Sequence, residues 1–289
     1  MKIDLHIHSK DGSDGRWPLP DIFAEASRRG IGFLSITDHD SIQAQEKASI
    51  MARQNGMTYL SGVELNVSFF HPSLNTGKSI SLDFLGYGFD VTYPPLVKKL
   101  TKLRDYRQKR AEMILENVNR ELRKEGIQEF TATDLAEIQA GIEGSLGRPH
   151  IAHYMMNKKI VKSKQEAFDK YLVTCDVPKL PLGLEEASTL IRSAGGKLVL
   201  AHPNDPNGTS LVSVASRVKE QHRIIEEMML PFLDGIECWH SRHSQATSRA
   251  YLAFVREKNL LATGGSDCHQ QPLLMGTVSV PEWVAEQFS

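Results

Sequence analysis

The chain is poor in cysteine, in charge imbalance and in long apolar runs, and each shortage narrows what it can be. Its three cysteines, Cys175, Cys238 and Cys268, are widely spaced and form no CxxC pair. That fits neither a disulfide framework nor a thiolate zinc site, and a reducing compartment suits it. Lys and Arg number 34 against 35 Asp and Glu, a formal net charge of −1. No global field therefore exists to hold nucleic acid or an anionic membrane, and any anion must be bound locally. No stretch approaches the roughly 18 apolar residues of a membrane span. The N-terminus places Asp4, His6 and His8 where a secretory signal needs an unbroken apolar run. These shortages predict a soluble, cytoplasmic protein without a membrane partner. With 40% hydrophobic and 24% charged residues in 289 positions, the composition argues against disorder, and the length suits two domains or one large α/β barrel carrying an insertion.

What the chain has is histidine, 11 in all, in a telling arrangement. Residues 2–8 alternate strictly, with Ile3, Leu5 and Ile7 on one side and Asp4, His6 and His8 on the other, as a strand with side-chain period two requires. A helix is predicted over 18–29, stopped by Gly30, and then a strand over 32–37 that delivers Asp38-His39-Asp40. A helix to about Asn55 follows, then a strand near 58–65 carrying Glu64 and another near 79–87 carrying Asp83. From about Pro94 to Pro181 the texture becomes helical, with ten Lys or Arg against five Asp or Glu between Leu96 and Gly126. Further helices are predicted over 133–139, 149–157 and 164–172. Strand-like runs then return and lead into His202, into His240 and His243, and into Asp267 and His269.

Every segment read as a parallel strand thus ends in His, Asp or Glu. In α/β barrels the C-terminal strand ends converge on one rim, where the active site is built. Each piece alone has a structural explanation: His6 and His8 as satisfied polar side chains, Asp40 or Ser41 as a helix cap, the Gly-Ser-Asp-Cys-His run as a turn. Taken together they point to metal, because imidazole and carboxylate without thiolate is the ligand set of Mn²⁺, Fe²⁺ or Zn²⁺. More than four such ligands implies more than one ion.

The ordered motifs Asp4-Leu5-His6-Ile7-His8-Ser9 with Ser13-Asp14-Gly15, Ile36-Thr37-Asp38-His39-Asp40, Gly62-Val63-Glu64, Leu200-Ala201-His202-Pro203 and Gly265-Ser266-Asp267-Cys268-His269 resemble those of the PHP (polymerase and histidinol phosphatase) metal-dependent phosphoesterases. The resemblance implies an α/β fold, a distorted (β/α)7 barrel, formed by residues 1–93 and 182–289, with a mostly helical insertion over 94–181 that contributes to substrate phosphate binding. It also implies two to three divalent ions. His6, His8, Glu64 and Asp267 would hold the first, Glu64, Asp83 and His202 the second, and Asp14, His39 and His269 the third. Asp11 is the competitor for Asp14, because the loop after His8 is one residue longer than the family's usual spacing. Asp83 stands where many members have His, and His71 is its competitor.

Two further stretches resemble the branch that holds nucleoside 3′,5′-bisphosphate phosphatases and 5′→3′ exoribonucleases. Gly147-Arg148-Pro149-His150 is similar to the pair that these proteins set against a substrate phosphate, a role that the bidentate Arg fork suits. The run from Glu237 to Ser244 is similar as well, and in it His243 would orient substrate or protonate the leaving oxygen. The expected reaction is hydrolysis of a nucleotide phosphate ester by a metal-bridging hydroxide, with Asp267 and His243 catalytic. The expected partners are a small phosphorylated nucleotide and short single-stranded RNA, with no obligate protein partner. Histidinol-phosphate hydrolysis is the near alternative, and a metal-binding regulatory module without turnover is the distant one.

Overall fold

The computed structural model describes residues 1–70, 79–140 and 147–288. In chain order they form β1 (Lys2–Ile7), α1 (Leu19–Arg29), β2 (Ile31–Ile36), α2 (Gln45–Gln54), β3 (Thr58–Tyr59), β4 (Gly62–Phe69), β5 (Ile80–Tyr87), α3 (Pro94–Lys124), α4 (Ala132–Ala140), α5 (Arg148–Asn157), α6 (Lys164–Ala167), α7 (Leu184–Ser193), β6 (Lys197–Leu200), α8 (Val218–Met228), β7 (Gly235–His240), α9 (Gln245–Glu257) and β8 (Leu261–Gly265). No helix among the described residues is long and apolar enough to cross a membrane. The chain divides into two compact units, one of Met1–Leu100 with Pro181–Ser289 and one of Thr101–Leu180.

In the first unit, β1, β2 and β3 form a parallel sheet. A second sheet runs β4-β5-β6-β7-β8, antiparallel across β4/β5 and β5/β6 and parallel beyond. Single parallel bridges at Ile7–Cys268 and His39–Glu64 link the two sheets. The class is mixed α/β, but the ladders make two separate sheets and not one closed ring. The expectation that the strands are all parallel fails at β4/β5 and β5/β6. Only ten residues separate Phe69 from Ile80, too few for the crossover that a parallel pair needs, so the two strands form a hairpin.

The helices follow from their apolar spacing. In α1, Leu19, Ile22, Phe23 and Ala26 make one buried face, and Gly30 at φ 72 ends the helix by turning its amide onto Ala26 and Ser27. Against that face pack Ile7, Ile36 and Ala48, each removed from water. Ile3 and Leu5 pack with Phe33, Leu85, Tyr87 and Val199, and burying each aliphatic side chain contributes about 2 kcal/mol. Tyr87 Oη donates to the Leu5 carbonyl at 2.7 Å. Both faces of β1 are therefore buried, and its alternation separates core from polar interior, not core from solvent. At the β1–β8 seam a Cβ on Gly265 would lie 2.4 Å from the His6 backbone nitrogen, so the absence of a side chain there lets the two strands approach.

The second unit has its own core, in which Ile114, Val118 and Leu122 of α3 meet Ile151 and Met155 of α5 and Tyr171 and Leu172. Ser163 caps α6 by accepting from the Glu166 amide. The helix predicted over 164–172 is α-helical only to Ala167 and continues as one π turn, Phe168–Leu172.

Candidate metal centre

The residues that the sequence singles out in the first unit are brought together. His6 leaves β1 with His8 just beyond it, His39 follows β2, Glu64 lies in β4, Asp83 in β5, His202 follows β6, and Asp267 and His269 follow β8. His8 Nε2 is 3.2 Å from both Glu64 Oε2 and Asp267 Oδ1, and His6 Nε2 is 3.5 Å from the same two atoms. Glu64 also meets His39 Nδ1 at 3.0 Å and His202 Nε2 at 3.0 Å. Asp14 Oδ1 is 3.3 Å from His269 Nε2, 3.8 Å from His8 Nδ1 and 4.0 Å from His39 Nε2. One ligand atom from each of His8, Asp14, His39 and His269 falls within a mutual 4.8 Å, and the same holds for His6, His8 and Asp267 and for His6, Glu64 and His202.

This geometry carries strain. His202 at φ 25 and Asp267 at φ 53 hold left-handed backbones, disfavoured for residues with a Cβ and a recurrent mark of functional sites. Asp267 to His269 is therefore not the extended segment that a spacing of two suggests, although Cys268 still turns away into the core beside Ile7.

The donor set fits divalent cations. His6 Nε2, His8 Nε2, Glu64 Oε2, His202 Nδ1 and His240 Nε2 are all buried without a hydrogen bond. Leaving such groups unpaired costs about 1–3 kcal/mol each, a cost that a shared cation relieves. Without a cation, protons do part of that work. Burial opposes charge on His8, but Asp267 and Glu64 outweigh it and push its pKa up to about 10. His202 is pushed up to about 9 against its own burial, chiefly by Glu64. Burial likewise opposes the charge on Glu64 and Asp267, yet the surrounding imidazoles hold both well below the usual carboxylate range.

The sign of the pH dependence follows. A raised imidazole pKa stabilises the metal-free fold fully below the ordinary 6.5, and the contribution fades as pH climbs through about 9 to 10. Ligation needs neutral imidazole, so cation binding at pH 7 is expected to expel at least the protons of His8 and His202 and to tighten as pH rises. Titration calorimetry in buffers of different ionisation enthalpy checks this, and binding without proton release would contradict it.

Several expected residues settle differently. Asp11 is spent elsewhere, accepting from the Leu19 amide at 2.8 Å and pairing with Lys47 at 2.6 Å, while Asp14 faces the cluster. Asp83 stands beside the cluster, 3.9 Å from His202 Nε2, with its other oxygen on Asn66 Nδ2 at 2.6 Å. Its competitor His71 lies outside the described residues. His243 stands beside His240, with ring centroids 5.4 Å apart. Burial and the neighbouring His240 pull its pKa down to about 4, and its nitrogens are engaged by the Cys238 carbonyl and the Asn204 amide. In the second unit, Arg148 pairs with Asp176 at 2.7 Å and lies over the Phe168 ring, and His150 Nδ1 accepts from the Gly147 amide that begins α5.

Sequence reasoning missed a supporting layer. Glu237, fully buried, sets Oε1 3.1 Å from His6 Nδ1 and accepts from the His202 amide at 2.8 Å on Oε2. It thereby fixes the His6 tautomer that leaves Nε2 for the cluster. Asp38 takes the Ser9 amide and the Ser9 and Ser13 hydroxyls, each at 2.7 Å, and Asp4 takes the Ser266 and Gly276 amides. His240, noted only as a strand tip, reaches Asp267 at 3.5 Å.

Comparison with known proteins assigns a family. The model of the PHP domain matches residues 4–177. A 5′-3′ exoribonuclease of Haemophilus influenzae is 28% identical over 93% of this chain and 90% of its own length. A 3′,5′-nucleoside bisphosphate phosphatase of Chromobacterium violaceum is 28% identical over 92% of this chain and 87% of its own. A solved structure from Bifidobacterium adolescentis, provisionally described as a metal-dependent phosphoesterase, shares the fold at a TM-score of 0.76, with 24% identity over 99% of this chain and 94% of that one. The chain belongs to the PHP domain family.

Proposed function

We propose that the protein is a metal-dependent phosphoesterase that removes the 3′-phosphate of nucleoside 3′,5′-bisphosphates and also acts on short 5′-phosphorylated RNA in the cytoplasm. One observation carries this reading: imidazoles and carboxylates carried on or just after β1, β2, β4, β6 and β8 converge, and His6 Nε2, His8 Nε2 and Glu64 Oε2 are buried there without a hydrogen bond. The names of its relatives supply the substrate class. In this reading the two linked sheets act as a distorted (β/α)7 barrel with the cluster at its mouth.

His6, His8, Glu64 and Asp267 would hold one divalent ion, Glu64, Asp83 and His202 a second, and Asp14, His39 and His269 a third, with Mn²⁺, Fe²⁺ or Zn²⁺ suited to these donors. Such ions supply acidified water and offset the charge of a phosphoryl group. The chain does the rest. Glu237 holds His6 and the His202 backbone, and Asp38 and Asp4 fix the loops that bear His8 and Asp267. His243 steadies the turn at Asn204. A cleft of about 470 Å³ beside His240 and His243, lined also by Trp239, Leu252 and Arg249, offers room for a nucleoside. Arg148 and His150, within residues 94–181, are the candidates by resemblance for contact with a substrate phosphate.

The test is phosphate release by Mn²⁺-loaded protein from adenosine 3′,5′-bisphosphate, histidinol phosphate and a 5′-phosphorylated RNA trimer. The bisphosphate is expected to lose its 3′-phosphate fastest. Preference for histidinol phosphate, or release from none of the three, would overturn the reading. Arg148→Ala is expected to raise KM for the bisphosphate about tenfold, since a charge-assisted hydrogen bond contributes about 1.5–3 kcal/mol. An unchanged KM would remove Arg148 from the site.

A further inference from the structure

The turns after β6 and β7 are tied together by an ion pair that metal binding does not require. Asp205, three residues beyond His202, is 1% exposed. One of its carboxylate oxygens accepts from the Asn207 amide at 2.8 Å, and the other pairs with the Arg242 guanidinium. Arg242, two residues beyond His240, keeps 42% of its side chain exposed, and its Nη1 lies 4.0 Å from Asp267 Oδ2. Asp205, His240 and Asp267 each offer a ligand atom within a mutual 4.8 Å. That spacing would suit another cation, but the guanidinium is already there.

A fixed positive charge on the Oδ2 side of Asp267 works against a further cation between Asp205, His240 and Asp267, because like charges at such distances repel. The same charge favours an anion arriving at the cluster. Among the described residues only Nη1 of the fork is engaged, on its inner side by Asp205, so the N–H groups of Nε and Nη2 remain for a ligand. A buried carboxylate that fixes one edge of a guanidinium and leaves the rest open is how an Arg is aimed at phosphate oxygens.

We propose that Arg242 binds the phosphoryl group that is hydrolysed, and that Asp205 is the positioning residue that aims it. This rests on the phosphoesterase reading above. The same contact holds orthophosphate, the product, which makes the inference testable without a nucleotide.

The experiment measures orthophosphate binding to the Mn²⁺-loaded protein by titration calorimetry, with metal content and unfolding temperature determined on the same samples. Arg242→Ala is expected to weaken orthophosphate at least tenfold with its metal content unchanged. Arg242→Gln keeps a donor for Asp205, and hence the tie between the turns, and is expected to show the same loss if the alanine variant does not fold. Asp205→Asn is expected to weaken orthophosphate on its own and to add nothing to Arg242→Gln. Wild-type affinity in Arg242→Gln would overturn the proposal, as would loss of metal in step with loss of phosphate, or failure of the wild type to bind orthophosphate. Arg242-dependent binding in a protein that hydrolyses no nucleotide would refute the proposed function and leave Arg242 as an orthophosphate ligand only, which would overturn its assignment to a hydrolysed group.

Discussion

Asp267→Ala is expected to lower phosphate release from adenosine 3′,5′-bisphosphate at least about 10³-fold, roughly 4 kcal/mol of transition-state stabilisation at 1.36 kcal/mol per decade. Asp267 is the carboxylate shared by the imidazoles of His6, His8 and His240, at 3.5, 3.2 and 3.5 Å. Its removal leaves three buried rings facing one another with less negative charge to gather a cation. Its left-handed backbone, held at φ 53, shows that the surrounding structure imposes this position. The variant is expected to fold, because alanine deletes a charge and not a piece of core. Steady-state rates with metal content measured in parallel check the prediction, and a rate within tenfold of wild type would contradict it.

Glu237→Gln is expected to weaken divalent-metal affinity about 10- to 100-fold while the fold is retained. The carboxylate accepts twice, from His6 Nδ1 on one oxygen and from the His202 amide on the other. An amide offers a single oxygen, so one of those two donors must face an NH₂ group. Either His6 loses the partner that fixes its tautomer, or the His202 turn loses its anchor. Both residues are buried, so solvent cannot repair the loss. Competition with a chelator of known affinity gives the metal constant. An unchanged constant would show that Glu237 serves packing alone.

The residues facing the cluster were legible in the sequence because a strand's period of two displays them. His6 and His8 stand out against Ile3, Leu5 and Ile7, and strand ends at His202 and Asp267 follow apolar runs closed by turn residues. Glu237 was not legible, and β7 shows why. Counted by alternation, Glu237 and His240 belong on opposite faces. The register with β8 slips, however, pairing Glu237 with Thr263 but Trp239 with Gly264. Two residues of β7 span one step of β8 there, and the bulge brings both side chains to the interior. The sheet topology was hidden for a similar reason, since a hydrophobic run reads the same in a parallel or an antiparallel pair. The surroundings of His243 were not legible either, because sequence reports a residue type and not its burial, and burial beside His240 holds its pKa down.

Metal content measured by elemental mass spectrometry on protein purified with Mn²⁺ and desalted, for wild type and Glu64→Gln side by side, addresses most directly whether this cluster gathers cations. Glu64 faces His6, His8, His39 and His202 at once. About two to three ions per chain are expected in the wild type and at least one fewer in the variant. A wild type without bound metal, or an equal count in the two proteins, would contradict that expectation.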